Sequence, residues 1–401
     1  MKRILFVTNR NILTTSGELR LIKNRAEALY ENYGIPTDFI AFSSQDRINS
    51  DRKETINAGG DLQTFEQNLT NPAVTLSSYK KVQKTINSKL ETGAYGAVIL
   101  SGNSMAFYAK RIKRKFNVNV CLDIHGALED ILEVSRKSSG IKSTILKALF
   151  YVDQIAVKQG TYYSDGFFVV TEALKQYLKE RFNITNSKQF YIVPCATSTA
   201  PINEGEYQKD RANYRKKYGI ETNEIVFVYS GGVSSWQCVE ESIGLFKTIA
   251  DKIEGKARML IFSHNIDEIK KWANGDTRIQ TDSYSPDELF HALRVGDFAF
   301  LLRRDNLTNN VAFPNKFLEY VQSGMKIITT PYVREIAKQT KEYNLGYIYN
   351  SEIEINDLIC YVNKNSHRSY SPEVVDSVLS HNCFRNTTRE FAKGFLDGNS
   401  D

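Results

Sequence analysis

No apolar run in this 401-residue chain approaches the roughly 18 residues needed to span a bilayer, so a transmembrane helix is not expected. The opening "MKRILFVTNRN" starts with two basic residues but turns polar too soon for a secretory leader. Cysteine is scarce: Cys121, Cys195, Cys238, Cys360 and Cys383 are odd in number and widely scattered, which excludes a disulfide framework and CxxC metal spacing. These absences point to a cytoplasmic protein with reduced thiols, in which N-x-S/T triplets are chance. No HExxH, DxD or clustered His/Asp set occurs, so the carboxylates that would hold a metal ion against a diphosphate are missing and no metal is expected. No G-x-G-x-x-G follows the first apolar run, which disfavours a nicotinamide-dependent dehydrogenase. Internal repeats and low-complexity tracts are also absent.

What is present is the balance of a globular protein, with 41% hydrophobic and 24% charged residues. The length implies two or three domains. Fifty-two Lys and Arg against forty-six Asp and Glu leave a net charge of +6, too little to argue for nucleic acid but suited to anionic small molecules or an anionic membrane surface.

Short apolar runs alternate with helical periodicity along the whole chain. "RILFVTN" precedes a helix in which Leu19, Ile22, Ala26, Leu29 and Tyr33 recur at helical spacing until Gly34 and Pro36 stop it. "PTDFIAFS", "YGAVILSG", "VNVCLDIHG", "SDGFFVVT" and "KQFYIVPCA" continue the pattern, and "EIVFVYSGG", "ARMLIFSHN", "TRIQTDSYS", "DFAFLLRRD", "KIITTP" and "LGYIYN" restart it. Such alternation predicts parallel sheets covered on both faces. The polar stretch "TSTAPINEGEYQKDRANYRKKYG" between the two series is the expected linker. Residues 1–198 therefore read as an N-terminal domain, 199–378 as a second, and 379–401 as a helix returning toward the first. Ligands of doubly wound sheets bind beyond the carboxyl ends of the strands, so two facing sheets would place a crevice between the domains.

The segment "FPNKFLEYVQSGMKIITTP" from Phe313 carries the most chemistry. Pro314 suits the first helical position and Gly324 the residue past the end, giving a helix of about nine residues. Lys316 and Glu319 share one of its faces. As a surface ion pair they would contribute little. With Arg303 delivered by the strand before and a helix amino terminus alongside, they can instead hold a diphosphate, Glu319 accepting from ribose hydroxyls. His125 follows "NVCLDI" at a strand end and precedes Gly126, while Asp123 either orients His125 or caps the next helix. Gly231 and Gly232 in "YSGG" suit a phosphate loop or an ordinary turn. Tyr284 and Ser285 in "SYSPDELFHAL" read as a helix start.

"LLRRDNLTNNVAFPNKFLEYVQSGMKIITTP" resembles the donor-site signature of the GT-B glycosyltransferases of group 1, family 4, with their P-x-K-x-x-E-Y segment. "FVYSGGVSSWQCVEESIGLF", "VCLDIHGALED", "YYSDGFFVVTEALKQYLKERF" and "YIVPCATST" resemble further segments of that family in the same order. The resemblance implies an α/β GT-B architecture of two Rossmann-like, doubly wound domains facing a cleft. It implies a transferase moving sugar from a nucleotide-diphosphate donor to a saccharide or lipid-linked saccharide, with retention, in cell-surface or capsular polysaccharide synthesis and with no cofactor. A non-hydrolysing nucleotide-sugar epimerase and a non-catalytic partner subunit are the alternatives. The resemblance places His125 near the donor sugar, carries Ser16 and Gly17 over from the first glycine loop, and sets Tyr284 and Ser285 beside the base. One departure stands out: many members carry a second Glu eight residues before the first, where this chain has Val311. Sugar contacts near Asn309 to Val311, Asn310 included, would then come largely from backbone N–H groups.

Finally, "RKSSGIKSTILKALFYV" (136–152) is a basic amphipathic stretch, either a plain surface helix or one lying on a membrane. In the membrane reading Lys137, Lys142 and Lys147 face the lipid charge while Ile141, Ile145, Leu146 and Leu149 enter the acyl boundary.

Overall fold

The computed structural model describes residues 2–11, 17–43, 56–67, 72–196, 203–366 and 371–398. The chain forms two compact units, Met1–Cys195 with Phe384–Asp401, and Ala196–Cys383. Thirteen strands account for both sheets: β1 (Arg3–Asn11), β2 (Thr37–Ser43), β3 (Leu62–Glu66), β4 (Tyr95–Ser101), β5 (Asn119–Ile124), β6 (Gly166–Val169) and β7 (Gln189–Ile192) in the first unit, then β8 (Ile225–Ser230), β9 (Ala257–Phe262), β10 (Ile279–Asp282), β11 (Phe298–Leu301), β12 (Lys326–Thr329) and β13 (Gly346–Ile348) in the second.

Within the first unit the order is β3-β2-β1-β4-β5-β6-β7, and within the second β10-β9-β8-β11-β12-β13, every pair parallel. Both sheets thus reverse strand order once, between β1 and β4 and between β8 and β11, and a crevice for a ligand opens beyond the carboxyl ends at such a reversal. Helices on both faces explain why β2 and β8 are buried along their whole lengths and why apolar residues dominate them. In the second unit Phe227 is the centre of an aromatic layer, 5.3 Å from Phe298 and 5.5 Å from Phe246 and Phe300. In the first, Phe391 from the C-terminal helix Arg389–Asp397 packs edge-on 4.8 Å from Phe168 and 5.3 Å from Tyr191.

Three expectations need correction. β3, "LQTFE", had no counterpart in the sequence reading, because an edge strand that is only half-buried lacks a continuous apolar run. The expected linker contains a 14-residue helix, Glu204–Lys217, capped by Asn203. Beside the buried Tyr207 its anchors are polar: Arg211 Nη1 donates to the carbonyls of Arg294, Val295 and Gly296, and Arg211 Nη2 meets Asp297 Oδ1 at 2.5 Å. A helix tied down by arginine looks like a solvated linker when hydropathy is the only guide. The stretch 136–152 is not one helix but the end of Asp130–Lys137 and the start of Gly140–Tyr163, with Gly140 at φ +59° between them.

Candidate functional site

In the second unit the residues after β8 and β11 converge where the strand order reverses. Gly231 leaves β8 at φ +111°, and its N–H donates to Phe262 O at 2.8 Å. A Cβ there would lie 2.5 Å from Lys316 Cε and 2.6 Å from Lys316 Nζ, so the glycine makes room for the lysine. Lys316 Nζ donates to Tyr229 Oη at 2.7 Å and to Gln237 Oε1, and stands 4.3 Å from the centre of the Tyr229 ring. The Tyr229 hydroxyl donates to Gly232 O at 2.6 Å, which braces the loop.

Arg303 follows β11. It is buried, donating from Nη1 to Leu302 O at 2.8 Å and to Gln237 O at 3.3 Å, and its backbone N–H meets Thr330 Oγ1 at 3.0 Å. Gln237 therefore contacts both cations. Arg304, the second arginine of the pair, turns outward to Glu241. Burial pushes the Lys316 pKa well below the usual lysine value and the Arg303 charge pushes it further, with Glu319 partly offsetting both, although the residue as a whole is only partly buried. Burial also lowers Arg303. Two like charges held together in a desolvated site are costly alone and favourable around an anion.

The helix carrying Lys316 and Glu319 runs from Lys316 to Gln322, seven residues, with Pro314 ahead of it rather than at its first position. The Phe317 N–H is taken by Pro314 O at 3.0 Å, which leaves less of a free amino terminus than expected. Gly324 takes the left-handed conformation that ends it, at φ +62°. The helix is tied to β8: Tyr320, fully buried, accepts from Ser230 N at 2.9 Å. Backbone N–H groups at 309 and 310 are not available for a sugar in the way expected. Asn306 to Val311 fold into a capped turn in which Asn309 N donates to Asn306 Oδ1 at 2.8 Å and Asn310 N to Asn306 O at 3.0 Å. Asn310 itself reaches Asp305 Oδ1 at 3.1 Å, and Val311 is buried.

Tyr284 and Ser285 lie at the end of β10. Ser285 forms a capping box with Glu288, the plain helix start. The Tyr284 hydroxyl is held by Lys217 Nζ at 2.6 Å and Tyr218 Oη at 2.5 Å, and its ring sits edge-on 5.3 Å from Phe262. Both residues thus have structural work.

In the first unit β5 delivers Asp123 and His125. His125 Nε2 lies 2.8 Å from Asp123 Oδ2, and Arg25 Nη2 donates to the same oxygen at 2.6 Å. Asp123 therefore orients His125 and caps no helix: the next one, Asp130–Lys137, follows Glu129 with no side-chain cap. Burial alone would raise the Asp123 pKa, but the Arg25 charge and then His125 hold it far below the carboxylate range. Arg25 was missed in the sequence. Its guanidinium lies 4.7 Å from the Phe168 ring centre and 5.8 Å from that of Phe6. The available signal was its spacing, four after Leu21 and three after Ile22, a charge inside an apolar stripe. Gln237 and Tyr229 gave no such signal. Gly17 begins the helix Gly17–Tyr33 that carries Arg25, and Ser16 lies outside the described residues.

No protein-family model matches the chain, and no curated protein matches it. Solved structures do. The chain is similar to sucrose-phosphate synthase from Thermosynechococcus elongatus at 12% identity and TM-score 0.70 over all of both chains. It is similar to Anabaena HepE in complex with UDP at 11% identity and TM-score 0.65, covering 98% of this chain and 100% of that one. A trehalose-6-phosphate protein from E. coli bound with UDP-2-fluoro glucose matches at 12% identity and TM-score 0.63, covering 98% and 99%. With two parallel α/β units of seven and six strands, the fold is GT-B.

Proposed function

We propose that this chain transfers a sugar from a nucleotide-diphosphate donor to a saccharide or lipid-linked saccharide. The observation that carries the reading is the pairing of Lys316 and Arg303 on Gln237 at the switch point of the second sheet, two cations whose mutual repulsion Glu319 offsets only in part. A diphosphate supplies the remaining negative charge. The structural neighbours that hold UDP or a UDP-sugar analogue support the same ligand class.

In the reaction the bond from the anomeric carbon to the diphosphate oxygen breaks, and a bond from that carbon to an acceptor hydroxyl oxygen forms. The electron pair leaves with the nucleoside diphosphate, and the acceptor proton goes to the leaving phosphate oxygen or to solvent. Arg303 and Lys316 stabilise the charge that develops on the leaving group, a role that metal ions fill elsewhere. Glu319 is assigned to the ribose hydroxyls and the Arg25, Asp123, His125 set to the sugar-transfer step, with Asp123 holding the imidazole. Retention, independence from metal, and a role in cell-surface polysaccharide synthesis at the inner face of a membrane complete the reading. No helix among the described residues is long and apolar enough to cross a bilayer.

Calorimetry with a panel of nucleoside diphosphates, followed by donor turnover with product analysis, tests it. Diphosphate binding with sugar release or transfer is expected. An epimerised nucleotide sugar would point to the epimerase, and absence of binding to all diphosphates would overturn the reading.

A further inference from the structure

Helix Gly140–Tyr163 in the first unit leaves a ridge of large apolar side chains in solvent. Ile141 is 80% exposed and Ile155 61%, with Ile145, Leu149 and Val152 exposed between them. The spacing of these five, four, four, three and three residues apart, keeps them on one face of the helix. Leu146, expected among them, is half-buried. An apolar ridge of this length in solvent marks a contact with something apolar.

One turn beyond Ile155 on the same face, Gln159 enters the wall of a cavity of about 520 Å³. Among the described residues the cavity wall holds four cations, Lys80, Lys110, Arg111 and Arg114, and no carboxylate. Three of them come from the helix Phe107–Lys115, where the remaining two cations are already paired, Lys113 with Asp165 at 3.0 Å and Lys115 with Glu91 at 2.5 Å. Among the described residues the cavity cations have no ion-pair partner. Exposed Lys142, Lys147 and Lys158 flank the ridge and have none either. One side of the cavity is rigid: the buried Tyr108 hydroxyl donates to Tyr79 O at 3.0 Å, and Tyr79 Oη meets Ser104 Oγ at 3.1 Å. Asn9 Nδ2, near the carboxyl end of β1, donates to the same Ser104 Oγ at 3.1 Å, so the cavity adjoins the strand ends of this unit.

We propose that this cavity seats the phosphate headgroup of an anionic phospholipid while the ridge from Ile141 to Ile155 lies in the acyl boundary of the same leaflet. A phosphate satisfies the unpaired guanidinium and ammonium groups, and a bilayer is the apolar partner whose surface supplies that phosphate beside hydrocarbon. A soluble anion would leave the ridge unexplained. A neutral apolar partner would leave the cations so. The inference rests only on the membrane part of the reading above; nucleotide binding tests the donor site separately, and either result can fail without the other.

The test is flotation of the full chain with phosphatidylcholine vesicles, with and without phosphatidylglycerol. Binding is expected only to the anionic vesicles and should weaken with salt. R111Q/R114Q should lower partitioning roughly 25-fold, about fivefold for each cation near the surface. I141N/I145N should lower it as well, while K252Q/K271Q, the same charge change on the second unit, should leave it unchanged. All these side chains are exposed, and thermal melting checks that each variant folds. Equal binding to neutral vesicles, unchanged binding by R111Q/R114Q or by I141N/I145N, or no flotation at all would overturn the proposal.

Discussion

Arg25 Nη2 and Asp123 Oδ2 stand 2.6 Å apart with both side chains almost wholly buried, 2% and 1% exposed, and the same carboxylate oxygen meets His125. A buried pair of this kind is weak evidence of net stability, but removing one partner strands the other. Arg25→Met should therefore destabilise the first unit by about 3 to 5 kcal/mol at neutral pH. With Arg25 present the Asp123 pKa is depressed, so its contribution is present above the unfolded carboxylate value and is lost only as pH falls through the lower folded one. In the variant only His125 is left to oppose burial, so the Asp123 pKa moves upward from its native position, and the deficit should shrink as pH falls and Asp123 takes a proton. Melting temperatures across pH for both proteins check this; a pH-independent deficit would mean that Asp123 is not the stranded group.

For Lys316 the slope has the same sign but a different cause, a buried ammonium that is disfavoured rather than a carboxylate that is favoured. Its folded pKa lies below the unfolded value, so the apo protein carries less charge there at alkaline pH, and stability rises with pH between the two values. A bound diphosphate restores the proton. Nucleoside diphosphate binding should take up a proton at alkaline pH, and affinity should fall as pH rises. Calorimetry in two buffers of different ionisation enthalpy measures the uptake, and Lys316→Met should abolish it while leaving the melting temperature equal or higher. Unchanged proton uptake in that variant would remove Lys316 from the diphosphate site.

Turnover should respond to the same groups. Lys316→Ala and Arg303→Ala are each expected to lose roughly 2 to 4 kcal/mol of transition-state stabilisation. Glu319→Ala should weaken nucleotide affinity with less effect on the chemical step. Single-turnover kinetics beside nucleotide titrations separate these effects, and near-normal turnover in both cation variants would refute the leaving-group role.

Gly231→Ala places a methyl group within 2.6 Å of the Lys316 ammonium and forces φ +111° on an alanine. Nucleotide affinity should drop as far as it does in Lys316→Ala, and the double variant should lose little more than either alone. Additive losses would show that the glycine acts on something other than the lysine.

His125→Ala should reduce transfer far more than nucleotide affinity, and activity should survive EDTA. Equal losses in transfer and affinity would make His125 structural. Metal-reversible inhibition would move the leaving-group work to an ion.

Hydropathy alone determined most of the architecture. Twelve of the thirteen strands among the described residues were visible as short runs between helical segments, most plainly those buried on both faces and therefore largely apolar, and the helices between them because one stripe must face the sheet. Lys316, Glu319, Arg303 and His125 drew notice in the sequence for a related reason: each follows an expected strand or lies in the opening turns of an expected helix, at the end of a sheet where ligands bind. The tertiary structure decided what each one touches. Nothing in the linear order joins Lys316 to Gln237 and Tyr229, or Arg25 to Asp123, because these contacts join segments 79, 87 and 98 residues apart through the sheets. It also decided that the polar segment after 203 is a docked helix held by arginine, that the amides at 309 and 310 are spent inside a turn, and that the apolar side of helix Gly140–Tyr163 stays in solvent. Periodicity reports that a helix has an apolar face; only packing in three dimensions reports whether anything covers it.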